Sequence, residues 1–193
     1  MTLPPPIKDE RVAPYNPFPN NDISALDEGR FDYPSSQGGA RVHDRSGNAV
    51  NESLEDELRA GGRIILACLD YNREDHLTSV LKEAKALAKP ADTVILFNAL
   101  NVEKHPEEKG IADSRVKDII QHAKDFPEGT RVLTHVVYAR PYEIALDVAK
   151  KHKVSLIILG KRNLRGLKRL TANSVSDHVI EEAPCSVLIA KGS

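Results

Sequence analysis

A chain of 193 residues with 40% apolar and 28% charged side chains, and no Trp, has the make-up of one ordinary water-soluble domain plus extra sequence. Its net charge of −1 divides unevenly: residues 1–62 hold 6 Lys and Arg against 11 Asp and Glu, and residues 63–193 hold 21 against 17. A surplus that small argues against a nucleic-acid binder, and no apolar run reaches membrane-spanning length. The opening MTLPPPIKDER lacks the apolar core of a secretory leader, and its early acids do not suit a mitochondrial one. Cys68 and Cys185 sit in or beside apolar runs and read as buried free thiols of a reducing, cytoplasmic compartment.

Two regions separate in chain order. Residues 1–62 are rich in Pro (Pro4, Pro5, Pro6, Pro14, Pro17, Pro19, Pro34) and acidic charge, with no sustained periodicity before Ser53. Such a segment buries too little apolar surface to offset its ordering entropy and reads as a mostly disordered extension. Its aromatics (Tyr15, Phe18, Phe31, Tyr33) keep docking of part of it open. Gly61-Gly62 marks the boundary with a domain over residues 63–193.

From Arg63 apolar strands alternate with amphipathic helices. Ile64 to Leu69 is a buried-strand run ending at Asp70; Leu77, Val80, Leu81, Ala84 and Ala88 make a helical face stopped by Pro90. Thr93 to Leu100 is a second strand, and Val116, Ile119, Ile120 and Ala123 a second helical face ended by Pro127. Arg131 to Tyr138 is a third strand, and Pro141 opens a third helix with Ile144, Ala145, Val148 and Ala149 on its face. Val154 to Leu159 is the fourth strand. A fourth helix runs from about Asn173 to Pro184, and Ser186 to Ala190 is the fifth strand. This alternation specifies a parallel sheet covered on both faces, a three-layer α/β fold.

Ligands of such sheets bind beyond the carboxyl ends of the strands, where strand order reverses. Asp70 ends strand one and Gly160 follows strand four. A basic loop (Lys161, Arg162, Arg165, Lys168, Arg169) then leads to the fourth helix, whose N-terminus offers backbone N–H groups to an anion. If strands one and four are neighbours, Asp70 meets a base amine or ribose hydroxyl while the loop holds phosphate. Each clue has a plainer reading: a turn-forming Asp, a turn Gly, a solvated basic face.

From Arg63 on, the segments IILACLD, LIILGKRNLRGLKRLTANSVSDHVI and EEAPCSVLIA resemble the universal stress protein A family. The resemblance covers about two thirds of the chain. It implies an open, Rossmann-like five-stranded parallel sheet in the order 3-2-1-4-5, adenine nucleotide alpha hydrolase-like. It also implies a stress-response role and a homodimer joined along the last strand. By the same resemblance, Asp70 contacts base or ribose, and Leu159 and Gly160 lie under ribose and phosphates. Arg162, Asn163, Gly166, Asn173, Ser174 and Val175 complete a nucleotide site for ATP or AMP, with Mg2+ only alongside ATP. Gly160, Gly166 and Ser174 are matched to the family signature, whereas Asn163 and Asn173 replace its second and third glycines. A side chain at either position crowds the approach of phosphate to backbone. Tyr71-Asn72 stands where the family often has Gly-Ser.

No nucleophile–base pair, metal-ligand spacing or P-loop is visible, so dedicated catalysis is not expected. His122 and His152 sit near helix C-termini, where the dipole favours a cation, and His135 reads as a packed strand residue. Two readings stay open: a nucleotide-responsive regulator, and a non-nucleotide-binding dimeric interaction module with a degenerate pocket. In the second, the basic loop and acidic extension recruit a protein partner.

Overall fold

The computed structural model describes residues 41–50, 62–161 and 175–191. Six strands form one sheet: β1 (Arg41–His43), β2 (Ile64–Cys68), β3 (Thr93–Leu100), β4 (Arg131–Tyr138), β5 (Leu156–Gly160) and β6 (Ser186–Ala190). Among the described residues four α-helices accompany them: α1 (Glu74–Leu87), α2 (Ala112–Ala123), α3 (Pro141–Lys151) and α4 (Val175–Glu182). The spatial order is β1-β4-β3-β2-β5-β6. The last five strands are parallel and stand in the expected 3-2-1-4-5 order.

The strand count is a correction. A sixth strand, β1, pairs antiparallel with β4 through Arg41↔Val136, Val42↔His135 and His43↔Thr134. It comes from a stretch whose composition carries no strand signal. It is held by tertiary contacts: Val42 and Val50 pack against the sheet core, and the Arg45 guanidinium donates to the carbonyls of Ala123, Lys124 and Phe126. Those carbonyls lie at and beyond the end of α2, where helix geometry leaves acceptors without partners. The disorder expected for the rest of the extension, residues 1–40 and 51–61, falls outside the described residues.

Period-2 alternation splits the strand side chains between two cores. Ile65, Ala67 and Leu69 face Val80, Leu81 and Ala84 of α1 and Val116 and Ile119 of α2. Ile64 and Leu66 face Ile144, Ala145 and Val148 of α3 and Val179 of α4. Both faces of each central strand are therefore dry, which is why these strands read as unbroken apolar runs. The fourth strand begins at Leu156 rather than Val154, because Val154 still closes α3 by donating to the Ala149 carbonyl at 3.0 Å.

The N-terminal end of the sheet is tied together by one carboxylate. Asp92, 4% exposed, accepts from the Arg63 backbone at 3.1 Å, the Arg63 guanidinium at 2.7 Å and the Lys89 backbone at 3.0 Å. Gly62 precedes this knot because the turn beside it leaves no room for a side chain: a Cβ there would lie 1.8 Å from the Ala91 carbonyl oxygen. His135 is a packed strand residue, edge-on to Phe97 with centroids 5.4 Å apart. His122 departs from the cation expected at a helix C-terminus: desolvation, then the Lys85 charge, holds it below its ordinary value.

Two buried groups make stability depend on pH on the acid side. Hydrogen bonding from Arg63 holds the Asp92 carboxyl below its ordinary 3.8. Its contribution is complete above that value and is lost as pH falls through the folded-state pKa. Burial, aided by the charges of His152 and Lys151, pushes His135 from 6.5 down to about 3. The unfolded chain takes that proton first, so stability declines as pH drops through the window between the two values. His135→Leu should flatten the pH dependence of the urea midpoint across that window, and an unchanged slope would assign it to other groups. Asp92→Asn should cost roughly 1–3 kcal/mol at neutral pH, since an amide cannot accept at both positions.

Candidate functional site

The chain leaves β2 through α1 on one face, while β5 leads to α4 on the other. Because β2 and β5 pair directly (Ile65↔Leu156, Leu66↔Ile157, Ala67↔Ile158), the reversal of strand order falls between them. A crevice opens there, beyond the carboxyl ends of β2, β3 and β5, with described walls enclosing about 150 Å³. Phe97, Leu159 and Cys68 contribute apolar surface, and Asp70, Asn72, His76, Asn98, Asn101 and Glu108 contribute polar groups.

Asp70 is the acceptor at the mouth of the crevice. It ends the β2 run and starts a tight turn: Asn72 N–H donates to its Oδ1 at 3.1 Å and Arg73 N–H to its carbonyl at 3.2 Å. Its Oδ2 lies 3.7 Å from Nδ1 of His76 and remains 39% exposed with the rest of the side chain. Behind it, the Asn98 amide donates to the Leu69 carbonyl at 2.9 Å. Asn98 is a polar side chain, 3% exposed, within an otherwise apolar strand. Glu108 closes the same wall. Its carboxylate, also 3% exposed, accepts from the Asn72 side-chain amide at 3.0 Å and the Asn101 backbone at 2.7 Å.

The sequence-read residues divide into three groups. Asp70, Leu159 and Gly160 share this crevice. Val175 is the first residue of α4. Arg162, Asn163, Gly166, Asn173 and Ser174 lie outside the described residues. Three wall residues escape sequence reasoning: His76, Asn98 and Glu108. Asn98 carried a signal, being an amide inside the run TVILFNAL. Glu108 carried none, since it sits in a short 3-10 turn (Pro106–Glu108) reached only by folding.

Gly160 has a contact that the strand–loop pattern does not suggest. A Cβ on it would lie 2.7 Å from Cβ and 2.8 Å from Cγ of His76, the buried residue in the first turn of α1. The glycine therefore lets α1 pack directly on the end of β5. Cys68 stays a protonated thiol, since burial lifts it to about 12. Both cysteines are free and partly buried. Among the described residues, no cluster of His, Cys, Asp and Glu is arranged to hold a metal, and no helix is long and apolar enough to cross a membrane.

The profile of the Universal stress protein family matches residues 43–191. The chain belongs to this family. Universal stress protein Sll1388 of Synechocystis is 30% identical over 100 residues, covering 52% of this chain and 64% of that one. YxiE of Bacillus subtilis is 36% identical over 75 residues, 38% of this chain and 51% of the relative. The chain thus spans about half to two thirds of the length of these two relatives. A universal stress protein of Thermus aquaticus is 30% identical over 132 residues, and 96% of its length is covered along with 64% of this chain. Among solved structures, hypothetical protein MJ0577 superposes with a TM-score of 0.54 at 25% identity, over 68% of this chain and 96% of that one. A universal stress protein in complex with cAMP has the same fold, with a TM-score of 0.54 at 16% identity, over 69% of this chain and all of the other. The five parallel strands stand in the order that the resemblance implies, with β1 beside them at the edge.

The Gly160–His76 contact gives a test of this packing. Gly160→Ala should destabilise by about 1–3 kcal/mol, the usual cost of forcing a methyl into a filled space. Adding His76→Ala should recover part of that loss, so the double mutant should be more stable than the sum of the singles by at least about 0.5 kcal/mol. Additive losses in urea unfolding would mean that Gly160 is constrained by something other than His76.

Proposed function

We propose that this universal stress protein is a cytoplasmic, dimeric regulator of a stress response that binds an adenine nucleotide between β2 and β5, without acting as a dedicated enzyme. The observation that carries the reading is the convergence of Asp70, Leu159 and Gly160 at the switch point of the sheet. The Asp70 carboxylate accepts from the base amine or a ribose hydroxyl, Leu159 lies under the sugar, and the start of α4 faces phosphate. Membership of the family supports it, and a protein of the same fold was solved in complex with cAMP. Nucleotide is either AMP or ATP in this reading, with Mg2+ accompanying the triphosphate.

A second reading has a specific observation behind it. His76 fills the space in front of Gly160, and Asn163 and Asn173 stand in place of two signature glycines. A dimeric module with a degenerate pocket, recruiting protein partners through its acidic N-terminal region and basic loop, accounts for both. Denaturing the purified protein and chromatographing what it releases separates the readings. Stoichiometric adenine nucleotide supports the first. In calorimetric titration with AMP, Asp70→Ala should then weaken binding by roughly 10- to 100-fold, the loss of one or two hydrogen bonds to a charged group. Absence of both carried and added nucleotide favours the module.

The assembly half of the proposal rests on β6. Among the described residues it pairs only with β5, and Val187, Leu188 and Ile189 along it are only half-buried. On α4, Ile180 is 52% exposed. An unpaired edge of this kind invites the same strand of a second copy, which satisfies both edges in one closed two-fold contact. Sedimentation equilibrium should show a dimer at tens of micromolar, on the order of where moderate interfaces form, and Val187→Pro should yield monomer with circular dichroism retained. A wild-type monomer at that concentration would refute the dimer.

A further inference from the structure

Glu108 is a buried carboxylate whose position the nucleotide reading alone does not explain. It belongs to the loop between β3 and α2, is 3% exposed, and makes no ion pair among the described residues. Removing a carboxylate from water without a counter-cation is costly unless its oxygens are well used. Both are: one takes the Asn72 side-chain amide and the other the Asn101 backbone N–H. These two donors belong to different loops. Asn72 is in the turn after β2, whose backbone folds around the Asp70 carboxylate. Asn101 directly follows β3.

The same turn is gripped at two more points. Asn98 holds the Leu69 carbonyl from β3. The Arg115 guanidinium of α2 stacks on the Tyr71 ring at 3.9 Å. Residues 69, 71 and 72 are thus each tied to β3, to α2 or to the loop between them, and Asp70 lies among them. Tyr71 and Asn72 provide two of these three attachments.

We propose that Glu108 is a positioning residue: by clamping Asn72 to Asn101 it fixes the Asp70 turn, so that the Asp70 carboxylate meets its ligand already oriented. This rests on the reading of Asp70 as the group that contacts nucleotide. A preorganised acceptor spares the ordering cost that a mobile turn would charge against binding, and only residues acting through Asp70 should share its effect.

The test joins a binding cycle to a ligand-free measurement. With AMP as the probe, Glu108→Ala and Asn72→Ala in the full chain should each weaken binding about tenfold, the scale of one charge-assisted hydrogen bond. Glu108→Gln should recover most of it by keeping an acceptor for Asn101. Asn72 is exposed, so its truncation leaves the core intact and covers the case in which Glu108→Ala folds poorly. In an Asp70→Ala background neither substitution should weaken AMP binding further. Without ligand, amide exchange at Asn72 and Arg73, both donors to Asp70, should speed up about tenfold in Glu108→Ala and Asn72→Ala. Unchanged exchange at these two amides overturns the proposal, as does an equal loss of AMP affinity with and without Asp70. A wild-type protein that does not bind AMP defeats the nucleotide reading instead, and the exchange result then decides the role of Glu108 by itself.

Discussion

The pairing of β2 with β5 is the contact on which the rest of this structure depends. It places two parallel strands side by side whose following helices leave toward opposite faces. Neither helix covers the gap above their carboxyl ends, so the sheet cannot close there. Two features of the crevice follow from that divergence. Asp70 and Gly160 end neighbouring strands, and α1 must start low over β5, which brings His76 onto Gly160. The glycine at this point answers a packing demand that exists whether or not phosphate ever approaches it.

The two ends of the sheet handle polar groups in opposite ways. At the N-terminal end Asp92 is buried and fully engaged by Arg63 and Lys89, and the adjoining strand starts add Thr93 N–H to the Arg63 carbonyl and Arg131 N–H to the Asp92 carbonyl. That arrangement satisfies the chain ends among themselves and serves stability. At the C-terminal end the polar groups are held by their backs. Asn72 and Asn101 secure Glu108 inside the wall, and Asp70 keeps one oxygen toward the opening. Order in the wall and exposure at the mouth are what a binding site requires.

The edges differ as well. β4 is covered by β1, locked by Arg45 against the end of α2. β6 has no such cover among the described residues. A sheet leaves a row of unpaired backbone groups at each edge, and here the Thr134 to Val136 part of the β4 row is paired by the chain itself.

How much of this was legible in the sequence depends on the range of the interaction concerned. Apolar periodicity marked the five parallel strands and four helices, because burial on both faces forces unbroken apolar runs and one-sided helices. Their spatial order came from family resemblance rather than from periodicity, since no local pattern states which strands are neighbours. Asp70 and Gly160 were legible because a switch-point crevice uses strand ends, and strand ends are visible where apolar runs stop, whereas Leu159 came from the family resemblance. β1 was not, because three residues of unremarkable propensity become a strand only when β4 offers an open edge and α2 offers carbonyls to Arg45. His76 and Glu108 were hidden for the same reason: a histidine in a helix and a glutamate in a loop are ordinary until folding puts one against a glycine 84 residues away and the other between two turns. Sequence alone determined which segments must be buried. Tertiary structure decided which polar groups share that burial, because hydrogen bonds between distant loops exist only once the sheet has brought them together.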